Sequence, residues 1–347
     1  MISGAVIADG SRNTISASAV GASASVTHNT ATYQDLAIDD SVGGNITATA
    51  TNLDSPVSVI GTVDGAVIDL GHDNSISLNA VGASAQFGVT DDVLGGVTVS
   101  HSLTVSGDVT LRAENNSAVT IQTDVGANGG GPQINGGTRN AFSGSAIGAS
   151  AGVSVFAIVD DGTYSSQISI AEGSQINVTA INSGDVTIGS TDDPTQPATL
   201  TGATLGADSV DGSISMMAIG ASGSVSSTAV VYAGSAEPSV AFGDVTFDVE
   251  NSGSISSNVS ITDLTLEGKN SISVGAVGTS VSNSARYISY TGDGISVSGT
   301  LGTITYGSSN SGAVFVGGGI GNASIGSGLG LVIAATAIGA SAAFTLP

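Results

Sequence analysis

The stretch TISASAVGASASV, from Thr14 to Val26, decides the fold because close copies of it return along the chain. Apolar residues alternate with small polar residues on both sides of Gly21, and this period of two is typical of a β-strand. A fixed motif with a varying spacing indicates a repeat unit of roughly 60–70 residues whose loops differ in length. The copies occupy residues 13–26, 74–87, 140–153, 212–225, 270–283 and 331–344, with central glycines Gly21, Gly82, Gly148, Gly220, Gly278 and Gly339.

The alternation changes phase at the central glycine. In the second copy the apolar residues are at even positions up to Ala80 and at odd positions from Val81 onward. A slip of one residue turns every later side chain to the opposite face of a strand, so we expect a bulge or corner at the Ala-Val-Gly step. A helix would also align Ile15 with Ala19 and Ala22 on one face. The serines, the β-branched residues and the central glycine favour the strand.

Further short strands follow each motif copy and are separated by Gly, Asn, Asp and Ser at about ten-residue intervals, the rhythm of an all-β protein. The sequence therefore predicts a single all-β domain over residues 1–347, built as a β-solenoid or β-helix. Each unit is long enough for one large coil or for about three coils of some twenty residues. The residues before the motifs are predicted to take a left-handed turn conformation. They are Asn13, Asn74, Asn140, Gly212 and Asn270.

The composition excludes several classes of protein. Lysine and arginine number 5 against 28 acidic residues, so the net charge is −23 and a nucleic-acid partner is not expected. Apolar residues make up 40% of the chain and are regularly patterned, which argues against disorder. The chain has no cysteine, which excludes a disulfide framework. Aromatic residues are only 4%, so stability must come from backbone ladders and close packing of small side chains.

Two stretches resemble bacterial surface proteins. INVTAINSGDVTIGS, residues 176–190, resembles the β-helical adhesins of the filamentous-haemagglutinin type, with short Val/Ile/Thr strands broken by Asn, Ser and Gly. NSISLNAVGAS, residues 74–84, resembles the head repeats of trimeric autotransporter adhesins. Both resemblances imply a secreted or surface-displayed bacterial structural protein, in an extracellular or cell-surface location. Neither implies a binding or catalytic residue in this chain.

The residues that could carry chemistry are few. His28, His72 and His101 lack the spacing of known metal motifs, and histidines on strands are usually solvated, so no catalytic residue and no enzyme activity are predicted. Adjacent aspartates suit Ca²⁺, which prefers oxygen ligands, and calcium is the one cofactor considered. Solvated turns are the alternative interpretation, because neighbouring carboxylates on a strand point to opposite faces. The calcium candidates are Asp39, Asp40, Asp91, Asp92, Asp160 and Asp161.

The repeat itself suggests the function. Repeat strands without polar caps tend to associate through their edges, and a head-to-tail contact without a closing rotation gives a filament. We therefore expect a structural subunit of an extracellular filament or surface layer, with other copies of itself as partner. The alternative is an adhesive or carbohydrate-binding solenoid module of a larger surface protein, with a surface polysaccharide as partner. No membrane span is expected, since the uncharged C-terminal run is the last motif copy. The predicted assembly residues are Ile2, Ala5, Val6, Ile7, Ile338, Ala340, Ala342 and Phe344.

Overall fold

The computed structural model describes residues 2–10, 12–32, 34–126, 130–190, 196–289, 298–326 and 331–345. These residues form strands, turns and bends, and none of them is helical. The strands stack in parallel into sheets, an arrangement compatible with a β-solenoid. The prediction of an all-β chain is confirmed.

The motif copies lie side by side in one parallel sheet, here called the motif sheet. Its long strands are β3 (Thr14–Thr32), β8 (Ser75–Val93), β13 (Ala141–Val159), β17 (Thr204–Val231), β21 (Lys269–Ser289) and β27 (Val332–Thr345). Its short strands are β2 (Val6–Ile7), β7 (Val67–Ile68), β12 (Gln133–Thr138), β20 (Thr265–Leu266) and β26 (Ser324–Ile325).

Two further sheets complete the fold. The second sheet contains β4 (Leu36–Val42), β5 (Ile46–Asn52), β9 (Val97–Val105), β10 (Val109–Asn115), β14 (Gly162–Asn182), β18 (Ser235–Asn251), β22 (Ser298–Leu301) and β23 (Ile304–Asn310). The third sheet contains β1 (Ile2–Ser3), β6 (Val57–Asp64), β11 (Val119–Val125), β15 (Val186–Gly189), β16 (Ala198–Thr201), β19 (Ile255–Thr262), β24 (Val314–Gly317) and β25 (Ile320–Gly321).

The chain passes once through each sheet between one motif and the next. After β3 it forms β4 and β5 in the second sheet and β6 in the third, and it returns to the motif sheet as β7 and β8. Strand β8 then pairs with β3 and places Ile76 beside Ile15. The stretch from one motif to the next is therefore one large coil, which decides between the two predicted coil sizes.

Buried positions along the motif strands change phase at the central glycine, as the sequence predicts. In β8 the even positions from Ile76 to Gly82 are buried, and from Ala83 onward the odd positions are buried. Two consecutive buried residues, Gly82 and Ala83, mark the slip, whereas the sequence predicted it at Ala80 and Val81, and Val81 is only partly buried. The same two positions are buried in β13, at Gly148 and Ala149, so the irregularity is stacked from coil to coil.

The slip divides the interior into separate cores. Side chains before the glycine, such as Ile76 and Leu78, pack in a first core against the third sheet. Those after it, such as Ala83 and Phe87, pack in a second core against the second sheet. The ends of the motif strands and the start of the second sheet enclose a third core around the buried Tyr164.

The long motif strands β3, β8, β13 and β17 are bent so that their two ends meet. An extended strand of this length would span about 60 Å. Yet Arg12, just before β3, forms an ion pair at 2.8 Å with Asp92, near the end of β8. Likewise the ring of His72, just before β8, stacks at 3.7 Å on that of Tyr232, just after β17. Bending towards the outer face crowds the side chains of that face, which accounts for its small serines.

At four of the five predicted positions the left-handed residue lies one position earlier, and before the fifth it is Gly268, two positions ahead of Asn270. Positive φ angles occur at Arg12 (58°), Asp73 (54°), Arg139 (56°) and Asp211 (55°) rather than at the Asn or Gly that follows each of them. The reason lies in hydrogen bonding: the asparagines use their side chains to join neighbouring coils. The Asn74 Oδ1, for example, accepts a hydrogen bond from the Asn13 backbone amide at 2.9 Å.

Among the described residues, no helix has the length and hydropathy required to cross a membrane. The C-terminal motif forms strand β27.

Candidate functional site

The motif glycines have a structural role that the sequence suggested only in part. A Cβ atom built at Gly82 would lie 2.4 Å from the Asn115 Oδ1 and 2.5 Å from the Gly148 carbonyl oxygen. Gly148 has the same relation to Asn182 and Gly220, with contacts of 2.2 and 2.4 Å. Glycine is therefore required at these positions because an asparagine side chain and the next coil occupy the space of a Cβ.

These asparagines form a continuous ladder along the stack. Asn115 Nδ2 donates to Asn182 Oδ1 at 2.8 Å, and Asn182 Nδ2 donates to Asn251 Oδ1 at 2.7 Å. Each Nδ2 also donates to a backbone oxygen shortly after it, as Asn182 does to the Gly184 carbonyl at 2.7 Å. Buried amides are costly unless they are paired, and the ladder pairs them from coil to coil. Its five members are Asn52, Asn115, Asn182, Asn251 and Asn310.

The aspartate pairs proposed for calcium are divided by the strands that carry them. Asp91 is buried inside the third-core region, whereas its neighbour Asp92 lies on the outer face. Asp39 and Asp161 are exposed. Among the described residues, Asp40 alone of the six candidates belongs to a group with metal-ligand geometry, and its companions there are histidines. Calcium binding at the pairs stays a prediction.

Other aspartates join neighbouring coils at the corners. Asp108 Oδ1 accepts a hydrogen bond from the Gln175 backbone amide at 3.0 Å. Asp244 Oδ1 accepts one from the Thr303 amide at 2.7 Å. In both pairs the donor lies one coil further along the chain. Part of the acidic excess therefore supports the stacking of coils.

An outer ion-pair cluster joins the two ends of the bent motif strands. Arg12 binds Asp92 and Asp160, each at 2.8 Å, and Arg139 binds Asp73 at 3.2 Å. Two of the five basic residues of the chain are thus paired here with acidic groups. The members of the cluster are Arg12, His72, Asp73, Asp92, Arg139, Asp160 and Tyr232.

Charge and burial act in opposite directions on Asp92. Burial is the largest influence and raises the pKa of this carboxyl above its ordinary value, and the neighbouring Asp160 adds to the rise. The Arg12 guanidinium opposes both by its charge and its hydrogen bond. The ion pair with Arg12 is therefore what makes ionised Asp92 tolerable at this half-buried position.

A second polar cluster lies inside the fold. Asp91, His101 and Tyr164 are each 1% exposed. Asp91 Oδ2 contacts His101 Nδ1 at 2.7 Å and accepts a hydrogen bond from the Tyr164 hydroxyl at 2.5 Å. Burial, together with the charge of Asp91, raises the pKa of Tyr164, so this phenol stays protonated and remains a donor. Asp91 therefore holds His101 in one orientation.

His101 extends this inner cluster towards the open end of the first coil. Its ring stacks on that of His28 with centroids 5.1 Å apart, and His28 Nε2 lies 3.5 Å from Asp40 Oδ2. One ligand atom each from His28, Asp40 and His101 lies within 4.8 Å of the other two. The expectation that these histidines are solvated is wrong for His101, which the strand pairing brings into the interior.

The sequence contained a signal for this group that depends on aligning the coils. His28 occupies the position that Val89 and Val155 occupy in the following coils. Asp40 pairs with Leu103. A polar side chain at a position that is otherwise apolar points to a local exception in the repeat. The motif spacing does not predict the partner of Asp40, because the number of residues between each motif and the following strand varies.

The predicted assembly residues lie at opposite ends of the stack. At one end Ile2 pairs with Val63, and Val6 is 57% exposed while Ile7 is buried. At the other end, Ala340 and Ala342 on β27 are exposed and Ile338 is partly buried. Ala5 is partly buried, and for Phe344 only the backbone pairing with Asn283 is described. Their part in assembly stays a prediction.

No protein-family model, curated protein or solved structure matches this chain. The resemblance to bacterial adhesins therefore rests on the residue patterns of the chain itself.

Proposed function

We propose that this chain, with its six motif copies, is a structural β-solenoid subunit that assembles end to end into an extracellular filament or surface layer. Its partner is a second copy of the same chain, and no catalytic activity is part of the proposal. The observation that carries it is the presence of matching open sheet edges at the two ends of the stack.

Each end of the motif sheet has an unpaired strand edge among the described residues. Strand β3 pairs only with β8, and β27 pairs only with β21. The free backbone groups of such edges are templates for pairing with another chain. Large apolar side chains are exposed at both ends, including Val6, Val20 and Val26 at one and Ile320, Ile325 and Val332 at the other.

The register inside the stack gives the register of the proposed contact. One apolar column, buried at its inner members and open at its two ends, runs through Ile2, Val63, Val125, Leu200, Ile261 and Ile320. A second runs through Ile7, Ile68, Ile134, Leu205, Leu266 and Ile325. If a second copy stacks on the β27 end, its Ile2 continues the first column on Ile320. Its Ile7 continues the second column on Ile325, and its β3 pairs with β27.

The distribution of charge is compatible with this contact. The net charge of −23 opposes association of whole chains. However, no Asp, Glu, Lys or Arg occurs after Asp293, so β27 and the strands β22 to β26 before it bring no charged side chain to the contact. Backbone hydrogen bonds and apolar packing would dominate it, and we expect assembly to depend weakly on salt.

The test is the double variant Ile320→Asp/Ile325→Asp, studied by sedimentation velocity and electron microscopy. We expect the wild type to form fibres and the variant to remain monomeric, because two buried carboxylates would interrupt both columns at the contact. Val210→Asp is the matched control, since Val210 is 42% exposed on β17 and lies within the stack, paired with Thr138 on one side and Lys269 on the other. Fibres of normal length from the double variant would contradict end-to-end stacking.

A polar groove supports an alternative function as an adhesive or carbohydrate-binding module. The groove measures about 430 Å³ and lies on the second sheet, where Ser102, Gln167 and Glu237 contribute to its lining. Hydroxyl and amide groups of this kind can bind sugar hydroxyls. The groove has no aromatic side chain among its lining residues, so it lacks an apolar surface for a sugar ring. A persistently monomeric wild type that binds a surface polysaccharide would favour this alternative.

A further inference from the structure

We propose that His28, Asp40 and His101 form a binding site for one transition-metal ion of the Zn²⁺ type, with Asp91 and Tyr164 positioning His101. This inference is independent of the proposed assembly. It rests on polar residues of the first two coils at positions that are apolar one coil later, and on ring nitrogens without a hydrogen-bond partner. It also rests on the hydrogen bonds that link His101 to Asp91 and Asp91 to Tyr164.

The three ligands occupy positions that the fold otherwise uses for its core. His28 pairs with Val89, and Asp40 pairs with Leu103, both of which are fully or nearly fully buried. His101 itself lies between Ile38 in the preceding coil and Ser166 in the following one. Stacking of coils would be satisfied by apolar residues at the first two positions. Local departures of this kind are expected where a site, rather than packing, determines the residue.

Two ring nitrogens have no hydrogen-bond partner among the described residues. They are His101 Nε2 and His28 Nε2, and both atoms are buried. His101 is 1% exposed, so solvent does not compensate for the missing partner. A buried polar atom without a partner destabilises the folded state. Coordination of an ion by both nitrogens would remove this cost at both histidines.

The hydrogen bonds of His101 are those of a metal ligand. Its Nδ1 contacts Asp91 Oδ2 at 2.7 Å, which leaves Nε2 unprotonated when Nδ1 donates to the carboxylate. Histidines that bind metals commonly donate their other ring nitrogen to a carboxylate, which fixes the ring and raises its basicity. The Tyr164 hydroxyl holds Asp91 in turn. The pairing of His101 Nδ1 with Asp91 therefore leaves Nε2 as the nitrogen available to an ion shared with His28 and Asp40.

The ligand set selects the class of ion. Two imidazoles and one carboxylate suit Zn²⁺ and its neighbours, whereas Ca²⁺ prefers oxygen ligands alone. Tetrahedral Zn²⁺ with bonds of about 2.0–2.1 Å holds its ligand atoms about 3.3 Å apart. The present separations, up to 4.8 Å, close by rotation of side chains at the open side of the site. There the Asp40 side chain is 48% exposed and the His28 side chain 31%, which leaves a path for the ion and room for water as a fourth ligand.

The test uses the full-length chain after removal of metals with a chelator. Zn²⁺ is titrated by calorimetry, and Co²⁺ is added separately to record the visible absorption of a tetrahedral complex. We expect one ion per chain and a higher melting temperature with Zn²⁺. With Co²⁺ we expect visible absorption bands that depend on the imidazoles of His28 and His101.

The variants follow the neighbouring coil so that the fold is retained. His28→Val and Asp40→Leu introduce the residues found at the same positions one coil later. Each should lower Zn²⁺ affinity by more than the roughly 10–100-fold typical of losing a supporting group. Tyr164→Phe removes the hydroxyl that holds Asp91, and it should lower Zn²⁺ affinity by a factor within that range. Asp39→Asn is the control, because this exposed neighbour lies outside the three-residue group, and its affinity should equal that of the wild type.

Three results would overturn the site. The first is a wild type that binds neither Zn²⁺ nor Co²⁺. The second is unchanged affinity and stoichiometry in both His28→Val and Asp40→Leu. The third is stabilisation by Ca²⁺ but not by Zn²⁺, which would instead support the acidic pairs.

Discussion

At the scale of the residue, the motif glycines and the ladder asparagines form one device. Asn115 lies where a Cβ of Gly82 would have to be, and the carbonyl of Gly148 blocks the same space from the next coil. The glycine therefore permits the contact between the motif strand and the returning chain. The buried amide of the asparagine then joins the coils by hydrogen bonds that no apolar residue could supply.

Gly82→Ala should destabilise the fold by about 1–3 kcal/mol or more, because both neighbouring groups must move to admit a methyl group. The measurement is the melting temperature or the midpoint of urea unfolding. Gly88→Ala is the matched control within β8, since its Cβ would meet nothing closer than the Ser154 hydroxyl at 3.5 Å. Equal stability of the two variants would show that the ladder does not restrict the motif position.

At the scale of the element, the bent motif strand depends on the outer ion-pair cluster. The strand is long, and its small outer side chains offer little apolar area to hold its ends together. Arg12 makes two ion pairs at 2.8 Å with carboxylates that belong to two later coils. All three side chains are about one-quarter exposed, so these pairs are less screened by solvent than ordinary surface pairs.

Arg12→Gln should lower stability at pH 7 by on the order of 1–2 kcal/mol, because Asp92 and Asp160 would then face each other without a cation. The loss should depend on pH. Burial already raises the pKa of Asp92 above its ordinary value of 3.8, and Arg12 is the group that lowers it. Removing Arg12 raises the folded-state pKa further. The whole loss of stability is therefore present above that raised pKa, where Asp92 is ionised. The loss disappears as the pH falls through that pKa and Asp92 becomes protonated.

Melting temperatures of Arg12→Gln and wild type across the acidic range test this prediction. Lys269→Gln is the control, because the Lys269 side chain is 61% exposed and its pair with Asp211 should contribute little. A destabilisation of Arg12→Gln that is the same at acidic and neutral pH would contradict the proposed balance of charge and burial.

At the scale of the whole molecule, stability is distributed between neighbouring coils. Strands β13 and β17 have a long parallel partner on both sides, whereas β3 and β27 have one on a single side. In such stacks each unit contributes its own stability and that of its contacts with adjacent units. We therefore expect the end coils to be less stable than the middle ones.

Hydrogen exchange should reveal this gradient. At low concentration, the amides of β13 and β17 should exchange most slowly and those of β3 and β27 fastest, since open edges leave backbone groups to solvent. Under conditions that give fibres, protection of β3 and β27 should increase while that of β13 changes little. Uniform protection along the dilute chain would contradict nearest-neighbour stability, and unchanged protection of β3 on assembly would argue against stacking at that edge.

The sequence by itself determined the all-β class, the positions of the motif strands and the change of phase at Gly82. These features follow from local periodicity, because alternation of apolar and polar residues records which face of a strand is buried. The sequence also predicted that Asp91 and Asp92 lie on opposite faces of one strand, because neighbouring side chains of a strand alternate. The slip itself lies at Gly82 and Ala83, which are both buried, rather than at the predicted Ala80 and Val81.

Only the tertiary structure decided which residues meet. The coil size depends on which strands pair, and pairing joins residues 58 to 75 positions apart, beyond the reach of any local pattern. The same holds for Arg12 with Asp160 and for His28 with His101. Asp40 joins this last pair because the second sheet returns it beside the motif strand. A cluster assembled from three strands has no signature in sequence spacing, since loop lengths between the strands vary while the register of the stacked coils does not.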